Sequence, residues 1–140
     1  MGRLLLILPL LLALGCNAPA PTPPAVPDPP QVRVQKAIKL AETINNATAH
    51  TLAALCPALP AKPILDPDTC AETASHLRLA SRTLVKMDAE VMSGDAWPVM
   101  RVRLAGIAAT VIVSVTVPNP GLQAQLAALQ AAVMAILEVY

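Results

Sequence analysis

The 140-residue chain predicts an all-α domain, an antiparallel four-helix bundle carried behind a proline-rich tether. Three observations point there. Apolar residues recur at helical steps of three and four through four segments between residues 31 and 140. Prolines, a glycine and capping residues punctuate the ends of those segments. The segments are rich in alanine and joined by short connections, which suits antiparallel helices that approach closely. About 110 residues lie in this region, the usual size of one domain.

Segment one, Gln31 to Cys56, places apolar or small residues at 34, 37, 38, 41, 44, 48, 52 and 55 and stops at Pro57. A proline-rich connector follows. Segment two opens at Asp68, a residue type able to cap the free amides of Thr69 to Ala71, with Glu72 in the first turn and the end at Ser93-Gly94. Its predicted inner face is Ala74, Leu77, Ala80, Leu84, Met87 and Val91. Segment three starts near Asp95, tolerates Pro98 in its first turn, carries Trp97, Met100, Leu104, Ile107 and Val111 inward, and ends before Pro118. Segment four takes Asn119 as cap and Pro120 as first helical residue, then runs Leu122, Leu126, Leu129, Val133, Ile136 and Tyr140 in steps of four and three.

One stretch resists the helical reading. Ala108 to Val117, AATVIVSVTV, is apolar and β-branched on every side. A lone strand would lack a partner, so the expectation is a buried helix. With segment four nearly free of charge, this region also offers surfaces for self-association, for a partner's apolar face, or for contact with a bilayer. Arg101 and Arg103 leave the apolar run after them too short for an ordinary span.

The first fifteen residues read as a cleaved signal peptide. Arg3 supplies the positive n-region, Leu4 to Leu14 the apolar h-region, and Gly15 the small residue at the cut. The apolar run falls short of the ~20 residues that cross a bilayer core. The stretch Leu12-Ala13-Leu14-Gly15-Cys16 resembles the lipobox of bacterial lipoproteins. That resemblance implies cleavage between Gly15 and Cys16, a diacylglyceryl group on the Cys16 thiol, and often acylation of the new amine. The chain departs from the commonest lipobox in having Ala13 where leucine is usual. Asn17, in place of the aspartate that favours inner-membrane retention in enterobacterial members, implies an outer-membrane protein facing the periplasm. More than one acyl chain is what stable anchoring requires.

Residues 16–30 then form a lipidated cysteine and linker, with prolines at 19, 21, 23, 24, 27, 29 and 30. Such a sequence favours polyproline II and advances ~3.1 Å per residue, a reach of ~40 Å. The mature domain occupies residues 31–140.

Composition narrows the partners. Losing the leader removes Arg3 and leaves nine basic against nine acidic side chains, with one Trp, one Tyr and no Phe. A neutral chain without a basic field or a set of stacking rings excludes a nucleic-acid partner. With Cys16 assigned to lipid, Cys56 and Cys70 remain as an even pair in an exported chain. They stand at the two positions an antiparallel hairpin brings together, and a disulfide is predicted, a redox pair being the rival reading.

Catalytic and metal signals are weak. His50 and His76 lie at equal depth along that hairpin but turn toward opposite flanks, and Asp68, Glu72 and His76 make at best an exposed cluster. No metal or cofactor is expected. Cys-x-x-Cys-His is absent, as are the nucleophile-elbow, zinc-protease and phosphate-loop motifs, and Asp66 and Asp68 read as turn and cap residues. The chain is therefore expected to be non-enzymatic: a membrane-anchored structural or protein-interaction module of the cell envelope. The alternative is a periplasmic small-molecule, haem or metal carrier. In outline the chain is also similar to the outer-membrane subunit of phage spanin lysis pairs and to phage exclusion lipoproteins. That similarity is compositional, and spanin subunits are usually shorter and poorer in packed helix.

Overall fold

A computed structural model of the chain describes residues 27–57, 63–111 and 116–138. Gly15, Cys16 and most of the proline tether lie outside the described residues, as does Tyr140. Four helices fold the described chain: α1 Pro30–Leu55, α2 Pro67–Val91, α3 Trp97–Ala108 and α4 Pro120–Leu137. There is no strand among the described residues. Consecutive helices pack against one another and α4 returns to pack against α1, closing an all-α four-helix bundle.

Side-chain pairs fix the direction of the first three helices. Cys56 is bonded to Cys70 at one end of the α1–α2 pair, and Gln35 Nε2 donates to Met92 Sδ at 3.2 Å at the other. Residue numbers that rise on one helix as they fall on the next define an antiparallel hairpin. The same holds for α2 and α3, where Glu90 meets Arg103 and Thr83 meets Thr110 in the turn just past α3.

The core is a seam read in alternating steps. On α1 it takes Val34, Ile38, Ala41, Asn45, Thr48 and Leu52; on α2, Thr73, Leu77, Ala80, Leu84, Met87 and Val91. Both follow the 4-3-4-3-4 spacing that keeps one helical face turned to its neighbours. Met100, Leu104 and Ala108 enter from α3, and Leu122, Leu129, Ala132, Val133 and Ile136 from α4. Leu65 and Val117 seal the core from the two longer connectors. The predicted inner residues of α2 are buried except Ala74, which is half-buried because the seam centres on its neighbour Thr73.

Two boundaries differ from the sequence expectation. The cap of α2 is Asp66, not Asp68: Asp66 Oδ1 accepts from the Thr69 backbone N–H at 2.8 Å and Oδ2 from the Thr69 hydroxyl at 2.6 Å. Pro67 then takes the first helical position, where a missing N–H costs nothing, and Asp68 falls into the first turn. On α3, the helix begins at Trp97 behind Ala96 and ends at Ala108, well before Pro118. Thr110 and Val111 donate to carbonyls three residues back, at Ile107 and Ala108, so the last turn tightens as the β-branched run begins. Of the buried helix expected over Ala108 to Val117, only Ala108 is helical, residues 109–111 form a turn, and residues 112–115 lie outside the described chain.

Asn119 caps α4 as expected, its Oδ1 accepting from the Leu122 N–H at 2.9 Å, and Pro120 follows. Gln123 Oε1 accepts from the Val117 N–H at 2.8 Å and fixes the approach to that helix. Between α2 and α3, Gly94 sits at φ +77°, a left-handed turn glycine.

Candidate functional site

The disulfide is the first feature built by the fold. The Cys56 N–H still closes the last turn of α1 on Leu52, and Leu55 accepts from the Ile64 N–H at 2.9 Å, which folds the connector back. Cys70 lies in the first turn of α2 held by the Asp66 cap. The two Cα atoms stand 6.0 Å apart and the bridge closes a 14-residue separation. As a bonded pair the cysteines carry no free thiol, and both sulfurs pack on the edge of the core.

Beside the bridge runs a groove between α1 and α2 of about 450 Å³. Near the disulfide it is walled by Leu52, Ala53, Ala74 and Leu77; further along, Asn45, Asn46, Arg78 and Ser81 line it. Asn45 is 5 % exposed and its Oδ1 accepts no hydrogen bond. A pattern of apolar or small side chains, Thr48 among them, passes over the larger polar Asn45. The step pattern itself, counted from Ile38 through Ala41, lands on Asn45 and Thr48. Thr48 is satisfied locally, its hydroxyl donating to the Ile44 carbonyl at 2.7 Å.

A smaller cavity of about 130 Å³ lies between α2 and α4, where α3 has already ended, and His76 lines it with Gln123, Leu126 and Gln130. His50, at equal depth on α1, is exposed and is not among those lining residues. His76 Nε2 stands 3.9 Å from Glu72 Oε1, one helical turn away. No group of three or more metal-ligating side chains occurs among the described residues.

Charge gathers at the opposite end of the bundle. Arg103 Nη1 contacts Glu90 at 2.8 Å and Asp95 at 2.6 Å, tying α3 to the end of α2 and its loop. Those acids, Glu90 foremost, push the Arg103 guanidinium above its ordinary value. Asp66 moves the other way: hydrogen bonds from the Thr69 hydroxyl and then the Thr69 N–H hold its carboxyl below the usual 3.8. With its oxygens occupied in capping, Asp66 is committed to structure rather than to acid–base work.

α4 is the described helix long and apolar enough, by length and composition, to cross a membrane, although it also supplies core. Its 18 residues include no charged side chain, and only 28 % of them are buried. Ala124, Ala127, Ala128, Ala131, Met134 and Ala135 all face outward. Comparison with protein-family models, with curated proteins and with solved structures finds no match for this chain.

Proposed function

We propose that this chain is an exported, non-enzymatic module, held on the bacterial envelope by lipid on Cys16 and acting there as a structural or protein-interaction part. The observation that carries the interaction reading is α4: a helix without charge whose outer face is mostly alanine, with Met134 and one polar side chain, Gln130. A face of small side chains lets another helix approach closely, and a contiguous uncharged surface marks contact sites more often than open solvent. Export is supported by the Cys56–Cys70 bridge, since such bonds persist in oxidising compartments, and by the leader ahead of Cys16. The proline-rich linker gives the domain reach above the bilayer, by ~3.1 Å per residue.

The test has two arms in living cells. A fatty-acid probe should label the wild-type protein and not Cys16→Ala; equal labelling of the two would remove the anchor. A photo-cross-linking residue at Ala131 should give one discrete adduct, with a second copy or an envelope protein, while the same residue at exposed Lys86 gives none. Absence of a discrete adduct at Ala131 would remove the interaction reading.

A further inference from the structure

We propose that the corner of the bundle nearest the tether, made by the α2–α3 turn and the outer face of α3, rests on the phospholipid headgroups of the bilayer that holds Cys16. The proposal rests on the reading of Cys16 as lipid-bearing and concerns a surface separate from that of α4. Residues 17–29 join Cys16 to α1, so at ~3.1 Å per residue the start of α1 is held within ~40 Å of the bilayer. The tether enters at Pro30, and Gln35 Nε2 lies 3.2 Å from Met92 Sδ. The end of α2, the turn after it and the start of α3 at Trp97 therefore share the tether's end of the bundle. The Cys56–Cys70 bridge marks the far end.

Exposed apolar side chains collect at this corner. Met92 is 70 % exposed, Val99 49 % and Val102 73 %, three of the eight exposed large apolar side chains among the described residues, all within one short stretch. Trp97, the chain's one tryptophan, stands among them, half-buried against the core. At 3.6 residues per turn, Pro98, Val99, Val102 and Ala105 share the outward side of α3, opposite Met100 and Leu104 in the core. Arg101 and Arg103 edge that strip on either side. An apolar strip edged by arginines, with a tryptophan at its start, suits a helix lying in a headgroup layer, where the ring and the guanidinium groups sit level with the phosphates.

Size separates a bilayer from a protein partner. A strip of four small or medium side chains falls far below the ~800 Å² per side of a standard protein interface. A short tether, however, supplies an effective concentration on the order of mM, so a surface that is weak alone is kept in contact with the membrane. Charge sets the kind of headgroup. Around the start of α1 and over residues 88–103, Arg33, Lys36, Arg101 and Arg103 balance Asp28, Asp88, Glu90 and Asp95, with Asp28 held by Lys36 and both Glu90 and Asp95 by Arg103. A balanced surface suits zwitterionic phospholipid. The helix starts add a polar match: α1 and α3 begin behind Pro29 and Ala96 with no side-chain cap and no acid in the first turn, whereas Asp66 and Asn119 cap α2 and α4. Uncapped first-turn N–H groups meet phosphate oxygens favourably.

The test couples the mature chain, residues 16–140, through the Cys16 thiol to a maleimide phospholipid in phosphatidylcholine vesicles. Cys56 and Cys70 are bonded to each other, which leaves Cys16 as the thiol that reacts. Native acylation is not needed for this, so loss of the Cys16 reading shows in the fatty-acid label and loss of docking shows here. Trp97 fluorescence reports the corner alone. Phospholipid brominated in its acyl chains should remove about half of the emission, and quenching by aqueous acrylamide should fall about threefold from that of the uncoupled protein. Raising salt to about 1 M should change neither, because the contact is apolar. Val99→Glu/Val102→Glu, two exposed positions, should return both readings to those of uncoupled protein with helical content unchanged. Ile64→Glu, at the far end and 71 % exposed in the wild type, should behave as wild type. Four results would overturn the proposal: no quenching by brominated lipid, loss of acrylamide access without such quenching, as when a second copy covers the corner, indifference to Val99→Glu/Val102→Glu, or an equal loss in Ile64→Glu.

Discussion

Removing the bridge with Cys56→Ala/Cys70→Ala tests whether the hairpin is held by constraint of the unfolded chain. The bond joins residues 14 apart, and both sulfurs lie at the edge of the core rather than in its centre. Replacement by alanine therefore costs little packing. What is lost is loop-closure entropy: for a loop of this length the chain-entropy relation gives about 10 cal/mol/K, or ~3 kcal/mol at 25 °C. Against a total of ~5–15 kcal/mol for a domain, that is about a fifth to three fifths of the stability. For a bundle of this size the melting temperature should fall by roughly 10–15 °C.

Circular dichroism on heating and in urea measures the effect, each with and without reductant. Wild-type protein in reductant should melt with the double variant, and the variant should be indifferent to reductant. The urea slope should rise on losing the bridge, because the unfolded chain becomes less compact. Melting of wild type and variant within about 3 °C of each other, with equal slopes, would refute the reasoning. It would mean that the unfolded hairpin stays organised without the bond.

Three further outcomes follow from individual residues. Leu84, fully buried at the centre of α2, should lose ~2–5 kcal/mol on truncation to alanine, read from urea midpoints at constant slope; a loss under 1 kcal/mol would place it outside the core. Thr73 is fully buried with an unpartnered hydroxyl, so Thr73→Val, nearly equal in volume, should raise stability by about 1 kcal/mol; destabilisation would reveal a partner for that oxygen. The Asp66 carboxyl is held below 3.8 in the fold, so its contribution is complete above that value and fades as pH falls through the lower folded value. Asp66→Ala should therefore melt lower than wild type at pH 7, and the gap should close below pH 3.8; a gap constant from pH 7 to pH 2 would show that the cap acts without its charge.

Much of the bundle is legible in the chain because helix periodicity and punctuation are local. The hydrophobic steps of α2 and α4, Asn119 before Pro120, and the stop at Pro57 all need only a few neighbouring residues to read. The failures have one cause: neighbours compete. Asp66 and Asp68 both precede amides in need of a cap, and the proline between them decides, since only Asp66 leaves Pro67 at the first helical position. At the end of α3, apolar periodicity continued past Ala108 while β-branched residues crowded the turn, and crowding won. The groove residues were invisible for a different reason. Asn45 and Arg78 lie 33 positions apart and share a wall only after the hairpin has closed.

The sequence by itself determined the helical class, the two cysteines that pair and the uncharged character of α4, since each is a matter of residue type and short-range spacing. Tertiary structure decided what the helices leave over. It set the register that puts Asn45 and Thr73 in the core beside apolar neighbours and turns the alanines of α4 outward. It also placed polar and apolar lining at opposite ends of one groove. Which face of a helix is buried is settled by the helices around it, and no local pattern carries that information when nearly every face is apolar.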